Sequence, residues 1–261
     1  MSGDYAYDHA WEDERVRLSG LEAALDPGTC EHLLRLGAGP GKRCLEVGAG
    51  GGAIAFWLAE RVAPGGSVVA TDLETDFLEA AASRIPTLDV LRHDLTKEAL
   101  PGGFDLAHAR YLIEWLPKRR DALRRMVEAL RPGGALLIEE PDFVTTLEAA
   151  EPPSLRRVMR AALDHLESIS SVDVRYGRHL LDDLTAVGLA DVTVEGRCPI
   201  VRGGSPPAGL FLRLTVEKFR VPLLASGAVE EAELDEASAA LLDPERAILM
   251  PMTFAGWGWR R

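Results

Sequence analysis

A glutamate stands directly in front of a glycine cluster in the stretch Leu45-Glu46-Val47-Gly48-Ala49-Gly50-Gly51-Gly52. Glycines in such a run serve two needs, a tight turn and the close approach of a ligand to bare backbone. A Gly-x-Gly alone says little, and its setting decides. Here a short apolar run, Arg43–Val47, precedes the glycines and a helical periodicity over 53–62 (Ile54, Trp57, Leu58, Val62) follows them. That is the strand–turn–helix order a nucleotide-binding loop requires. The acid then selects among ligands. A dinucleotide pyrophosphate is dianionic and is repelled by Glu46, whereas a cationic amino-acid ligand is attracted. The glycine spacing agrees, because Gly52 comes one residue early for a Gly-x-Gly-x-x-Gly fingerprint. Asp72 and Asp94 stand where two further predicted strands end. An acid at the end of the second strand can accept bonds from both ribose hydroxyls. Its other use is as the N-cap of the following helix.

The elements that must position these groups can be read from periodicity. Residues 67–71 form a buried strand, 74–84 a helix stopped before Pro86, 88–92 a third strand and 104–109 a fourth. Residues 119–130 form a periodic helix that ends at Arg131-Pro132-Gly133-Gly134, and 135–139 form a fifth strand. Strands alternating with helices of this length imply βαβ units and a parallel sheet with right-handed crossovers. Ligands on such sheets bind outside the carboxyl ends of the strands, where the strand order reverses. The second half differs. Helical patterns at 155–168, 178–187, 206–221 and 230–242 are interrupted by strand character at 191–201 and 247–259. The two late strands are expected to complete the same sheet, with the helices forming a cover.

Composition narrows the partners. The 261 residues carry a formal net charge of −12, which argues against nucleic acid, since neutralising phosphates takes clustered Lys and Arg. The one basic cluster, Lys118-Arg119-Arg120 with Arg124, Arg125 and Arg131, follows helical spacing and reads as a solvated helix face. Three cysteines, Cys30, Cys44 and Cys198, lie far apart with no C-x-x-C spacing, which suits a reduced, cytoplasmic protein without a thiolate metal site. The acidic, aromatic N-terminus lacks the features of a signal peptide, and no apolar run approaches a membrane span.

Residues 42–142 resemble the class I S-adenosylmethionine-dependent methyltransferases. More narrowly, they resemble the small-molecule enzymes related to the quinone-biosynthesis C-methyltransferases. The resemblance rests on the glycine stretch and continues in Val69-Ala70-Thr71-Asp72, Arg92-His93-Asp94, Phe104-Asp105-Leu106-Ala107-His108-Ala109-Arg110 and Leu130-Arg131-Pro132-Gly133-Gly134. It implies a Rossmann-like α/β fold: a seven-stranded, mostly parallel sheet with helices on both faces, an N-terminal helical lid and a helical cover insertion. The expected division is a lid over 1–40, a cofactor-binding core over 41–145, and a cover plus the last two strands over 146–261. The implied cofactor is S-adenosylmethionine, whose ammonium and sulfonium suit the acid at Glu46. The resemblance places Glu46 near the methionyl ammonium and Gly48 and Gly50 along the methionine and ribose. It places Asp72 on the ribose, Leu73 on the adenine face, and Asp94 and Leu95 at the adenine edge. A backbone carbonyl at Ala109 would face the ammonium, with Arg110 beside it or in a structural ion pair. Trp11 and Arg17 would lie on a segment closing over the cofactor. Trp115 departs from the family, where a histidine is common in the corresponding Leu-x-His-Leu-Pro run.

Methyl transfer from a sulfonium is an in-line displacement in which the protein aligns the nucleophile and excludes water. A base is needed only where the nucleophile's proton must leave early. His179, Tyr176 and His9 are candidates for that role, and Glu140 and Asp142 follow the fifth strand close to where an acceptor should sit. No His/Asp/Glu cluster at metal-ligand spacing appears, which disfavours a Mg²⁺-dependent O-methyltransferase. The expected partner is a small, partly aromatic or apolar acceptor, methylated on C, N or O as in secondary metabolism, and the chain is read as a monomer or homodimer. Two other readings stand beside this one. The first is a non-catalytic or repurposed cofactor-binding protein on the same fold. The second is an NAD-dependent oxidoreductase, for which no Tyr-x-x-x-Lys pair is present, since Leu180 stands four residues after Tyr176.

Overall fold

A computed structural model describes residues 13–261, so the expectations for His9 and Trp11 lie outside the described residues. The elements run α1 (Glu14–Arg35), β1 (Arg43–Val47), α2 (Ala53–Arg61), β2 (Ser67–Asp72), α3 (Asp76–Ala82), β3 (Leu88–Arg92) and β4 (Phe104–Arg110). They continue as α4 (Arg119–Ala129), β5 (Leu130–Asp142), α5 (Val144–Ala149), α6 (Pro153–Ile169), α7 (Leu180–Ala186), β6 (Ala190–Arg197) and β7 (Ile200–Arg202). The chain ends with α8 (Phe211–Ser226), α9 (Glu231–Leu242), β8 (Ala247–Leu249) and β9 (Met252–Trp259).

The chain divides into two compact units. The larger comprises Asp26–Glu140, Tyr176–Arg197 and Thr253–Arg261. Its seven-stranded sheet has the order β3-β2-β1-β4-β5-β9-β6. β1 pairs in parallel with both β2 and β4, β2 with β3 and β4 with β5, while β6 and β9 are antiparallel. The order reverses between β1 and β4, so the crevice expected to hold a ligand lies at their carboxyl ends. Helices cover both faces, as the alternating pattern requires. On one face Leu45, Val47, Ala107 and Ile138 pack with Leu123 and Met126 of α4 and Leu180 and Leu184 of α7. On the other, Cys44, Val68, Leu106 and Leu137 pack with Ile54 and Leu58 of α2 and Leu33 of α1.

Several boundaries differ from the sequence reading. The helix expected over 206–221 runs Phe211–Ser226, and the strand expected over 247–259 is two, β8 and β9. Two further differences concern β5 and β6. The Arg-Pro-Gly-Gly turn lies within β5 as an exposed bulge: Phe104 pairs with Leu130 and Leu106 with Ala135, so the extra residues loop out of the ladder. The strand expected over 191–201 is two strands. β6 stops at Arg197, and past Pro199, which has no N–H to donate, β7 pairs with β8 in a separate ribbon.

Among the described residues the smaller unit comprises Asp13–Leu25, Pro141–Arg175 and Cys198–Met252. It is built from α5, α6, α8, α9, the β7–β8 ribbon and the first half of α1. α6 buries Leu155, Val158, Met159, Ala162, Leu163 and Leu166 along one stripe, the spacing of an amphipathic helix. No helix among the described residues is long and apolar enough to cross a membrane.

Candidate functional site

The glycine loop leaves β1 and turns under β2. Gly48, Gly50 and Gly52 all have positive φ (71°, 52° and 90°), a region costly for other residues. The N–H groups of Gly48 and Ala49 donate to the carbonyl of Thr71 at 2.8 and 3.0 Å, and that of Gly50 donates to Asp72 Oδ2 at 2.8 Å. The glycines have different reasons to be glycine. A Cβ on Gly52 would stand 2.6 Å from Leu78 and 2.7 Å from the Phe56 ring, so Gly52 serves helix–strand packing. A Cβ on Gly50 would meet nothing within 4 Å, so the loop is open there.

Asp72 ends β2 with Oδ2 on Gly50 and Oδ1 accepting the Glu74 N–H at 3.2 Å. These bonds join the loop to the strand end, and Leu73 beside it is 51% exposed, an apolar side chain open to a flat ligand. Asp94 folds onto its own turn. Its Oδ1 accepts from the Thr96 N–H and hydroxyl at 2.9 and 2.5 Å, and its Oδ2 pairs with Lys97 at 2.6 Å. Despite partial burial, these donors hold the Asp94 carboxyl below its ordinary range. Leu95 is buried next to it. His93 is also buried, and its Nδ1 has no hydrogen-bond partner among the described residues.

The partners of Glu46 deeper in the crevice were not legible in the sequence. Parallel pairing sets Glu46 of β1 beside His108 of β4, and Glu46 Oε2 accepts from His108 Nδ1 at 2.7 Å. His108 Nε2 faces Glu139 Oε2 on β5 at 3.3 Å. Glu139 Oε1 accepts from His32 Nδ1 of α1 at 2.8 Å, and Oε2 also accepts from the Thr29 hydroxyl. His32 Nε2 reaches Glu195 Oε1 of β6 at 2.8 Å. Carboxylates and imidazoles thus alternate across the sheet. Burial disfavours a charge on His108, but the carboxylates of Glu46 and Glu139 outweigh it and lift the ring to about 9. His32 is raised for the same reason. Glu139 is held far below the carboxylate range, because His108, His32 and Arg110 overcome its desolvation.

Arg110, at the end of β4, points to α1. It donates to Asp26 Oδ1 and to the Thr29 hydroxyl, each at 2.8 Å, which is the structural ion pair that stood as its alternative role. Ala109 is fully buried, its neighbours across the sheet being Val47 and Ile138. Glu140 does not face open space. Its buried carboxylate accepts the N–H groups of Leu112, Ile113 and Glu114 at 3.2, 2.8 and 3.1 Å, capping the turn after β4, and desolvation lifts it to about 8.

Of the base candidates among the described residues, Tyr176 and His179 lie near each other, ring centroids 6.3 Å apart, but differ in exposure. Tyr176 is buried in the α4–α7 cluster, where its hydroxyl donates to Asp183 Oδ2 at 2.7 Å and burial pushes its ionisation up, the opposite of what a base needs. His179 is exposed at the start of α7. Arg17 lies in the smaller unit, bound through both Nε and Nη2 to Glu14 at 3.0 and 2.7 Å and placed over the Phe211 ring.

A family model described as a methyltransferase domain matches residues 45–136, the segment that carries the glycine loop, Asp72, Asp94 and β4. Over 142 residues the chain is 36% identical to a trans-aconitate 2-methyltransferase of Sinorhizobium fredii, a match covering 54% of this chain and 51% of that protein. It is 29% identical over 192 residues to the methyltransferase str3 of Strobilurus tenacellus, covering 72% of this chain and 66% of that one. The chain therefore spans about half the length of the first of these relatives. The fold is similar to that of a Haemonchus contortus phosphoethanolamine N-methyltransferase solved with phosphomonomethylethanolamine and S-adenosylhomocysteine. The TM-score is 0.59 at 17% identity, over 97% of this chain and 58% of that one.

Proposed function

We propose that this chain is a class I S-adenosylmethionine-dependent methyltransferase that transfers the cofactor's methyl group to a small, apolar or aromatic acceptor. The observation that carries the reading is the open Gly50 position between Glu46 and Asp72 at the reversal of strand order. The residues present fit the cofactor. Glu46 keeps Oε1 without a partner among the described residues, which suits an ammonium. Asp72 suits a ribose diol, the exposed Leu73 suits a purine face, and the buried, unpartnered Nδ1 of His93 stands next to Asp94. When bound, the cofactor supplies an electrophilic methyl group on a sulfonium.

The chain's own residues do the rest. Glu46 offers negative charge to the amino-acid end, and Asp72 holds the ribose while it fixes the glycine loop. Leu73 would pack on the adenine face, with Asp94 and the backbone of Leu95 at its edge. In-line displacement needs alignment and exclusion of water, and neither requires a metal. His179 remains the exposed imidazole available to an acceptor whose proton must leave. Of the sequence relatives, the trans-aconitate 2-methyltransferases are named for an acceptor and the Strobilurus methyltransferase is not, which makes the acceptor the quantity to measure. Incubation with radiolabelled S-adenosylmethionine and a panel holding trans-aconitate, indoles, phenols and quinols is expected to label an apolar or aromatic member. Labelling of trans-aconitate alone would overturn the acceptor class. Cofactor binding with no labelled product across the panel would favour a non-catalytic role.

A further inference from the structure

We propose that His108 is a positioning residue, clamped between Glu46 and Glu139 so that the Glu46 carboxylate is held fixed for the cofactor's ammonium. The inference rests on the reading of Glu46 given above and assigns a role to a residue outside the glycine loop.

The argument begins with where charge is placed. On this face of the sheet Cys44, Leu106, Ala135 and Leu137 are buried and apolar. One step of the pleat further, at the carboxyl ends, the same face carries Glu46, His108 and Glu139, all at most 4% exposed. Buried ion pairs seldom add stability over an apolar replacement of similar volume. A charged chain confined to the ligand-binding end of an otherwise apolar face therefore points to use rather than to packing.

Geometry says what the use is. A glutamate side chain has three rotatable bonds, so a carboxylate at the end of β1 has many places to go. His108 Nδ1 fixes one oxygen of Glu46 at 2.7 Å and leaves the other. The ring cannot turn away, because Nε2 is engaged by Glu139. Glu139 is itself held by Thr29 and His32, and His32 by Glu195. A neutral imidazole carries one N–H and cannot donate on both sides, so the clamp closes only as an imidazolium. The ionisable groups facing the chain are Glu46 from β1, His108 and Arg110 from β4, and Glu139 from β5. Asp26, Cys30, His32 and Arg35 face it from α1, and Glu195 and Arg197 from β6.

The test separates positioning from bulk support. S-adenosylhomocysteine carries the amino-acid end, and 5′-methylthioadenosine lacks it. Dissociation constants for both are measured by calorimetry on wild type, His108→Gln and His108→Leu. The clamp predicts that His108→Leu weakens S-adenosylhomocysteine by about tenfold or more, equivalent to about 1.4 kcal/mol, while 5′-methylthioadenosine changes by less than about twofold. His108→Gln, which keeps a donor for Glu46, is expected to fall between. Equal losses for both ligands, or no loss for either, would overturn the proposal. Should the variants not fold, histidine side-chain NMR on the ligand-free wild type decides. A ring at His108 protonated on both nitrogens up to about pH 8 supports the clamp, and a neutral ring at pH 7 sinks it. A wild type that binds neither nucleoside while the ring stays doubly protonated would refute the cofactor reading of Glu46, with the clamp itself intact.

Discussion

At the scale of single residues, two glycines two positions apart are expected to behave oppositely. Gly52→Ala forces a Cβ against Leu78 and Phe56 at a φ of 90°, so it should destabilise the fold by about 1–3 kcal/mol. Gly50→Ala meets no atom and pays only for an unfavourable φ of 52°, about 1–2 kcal/mol, yet its methyl group enters the space assigned to the cofactor. Urea unfolding beside S-adenosylhomocysteine titration distinguishes them. The expected pattern is a stability loss at Gly52 with affinity largely kept in the folded fraction, and an affinity loss at Gly50. The same titration tests Asp72→Ala, for which a loss of at least about tenfold is expected from the missing ribose bonds. Wild-type affinity in that variant would refute the ribose assignment.

At the scale of elements, the local pattern marked the right strands and helices but not what they bring together. The five strands of the first half were legible, and so was the division of α4 into a buried stripe and a basic face. Met126 is fully buried, while Arg120 and Arg124 are about half exposed and pair with Asp183 and Asp121. Met126→Ala should therefore cost about 2–5 kcal/mol. Arg120→Ala and Arg124→Ala should each cost under about 1 kcal/mol, because exposed ion pairs contribute little. Chemical denaturation of the three variants checks the contrast. What stayed illegible was the chain that joins Glu46 to His108, Glu139 and His32. Its members are separated by up to 107 residues, and only the register of β1, β4 and β5 makes them neighbours. One signal was present: a histidine among the apolar residues at the centre of β4, two residues after the buried Leu106, calls for a buried partner. Glu140 was misplaced for a related reason. Its carboxylate satisfies three backbone N–H groups of its own unit, which no spacing rule announces.

At the scale of the molecule, the buried charges make stability depend on pH in a defined way. His108 is raised from 6.5 to about 9, so its contribution is whole below about pH 6.5 and lost as pH climbs through 9. Glu139 is depressed from 4.5, so its contribution is whole above about pH 4.5 and lost as pH falls below that. Glu140 is raised from 4.5 to about 8, so its contribution is whole below about pH 4.5 and lost as pH climbs through 8. The urea midpoint is thus expected to be highest at about pH 5 and to decline on both sides. A midpoint still rising from pH 7 to 9 would contradict the buried imidazolium. The acid in front of the glycines makes the claim on which the rest depends, that this loop takes a cationic amino-acid nucleoside and not a pyrophosphate. Calorimetric titration of the wild-type chain with S-adenosylhomocysteine and with NAD tests it most directly. The account predicts saturable, micromolar binding of S-adenosylhomocysteine and no heat from NAD, and saturable binding of NAD with none of S-adenosylhomocysteine would contradict it.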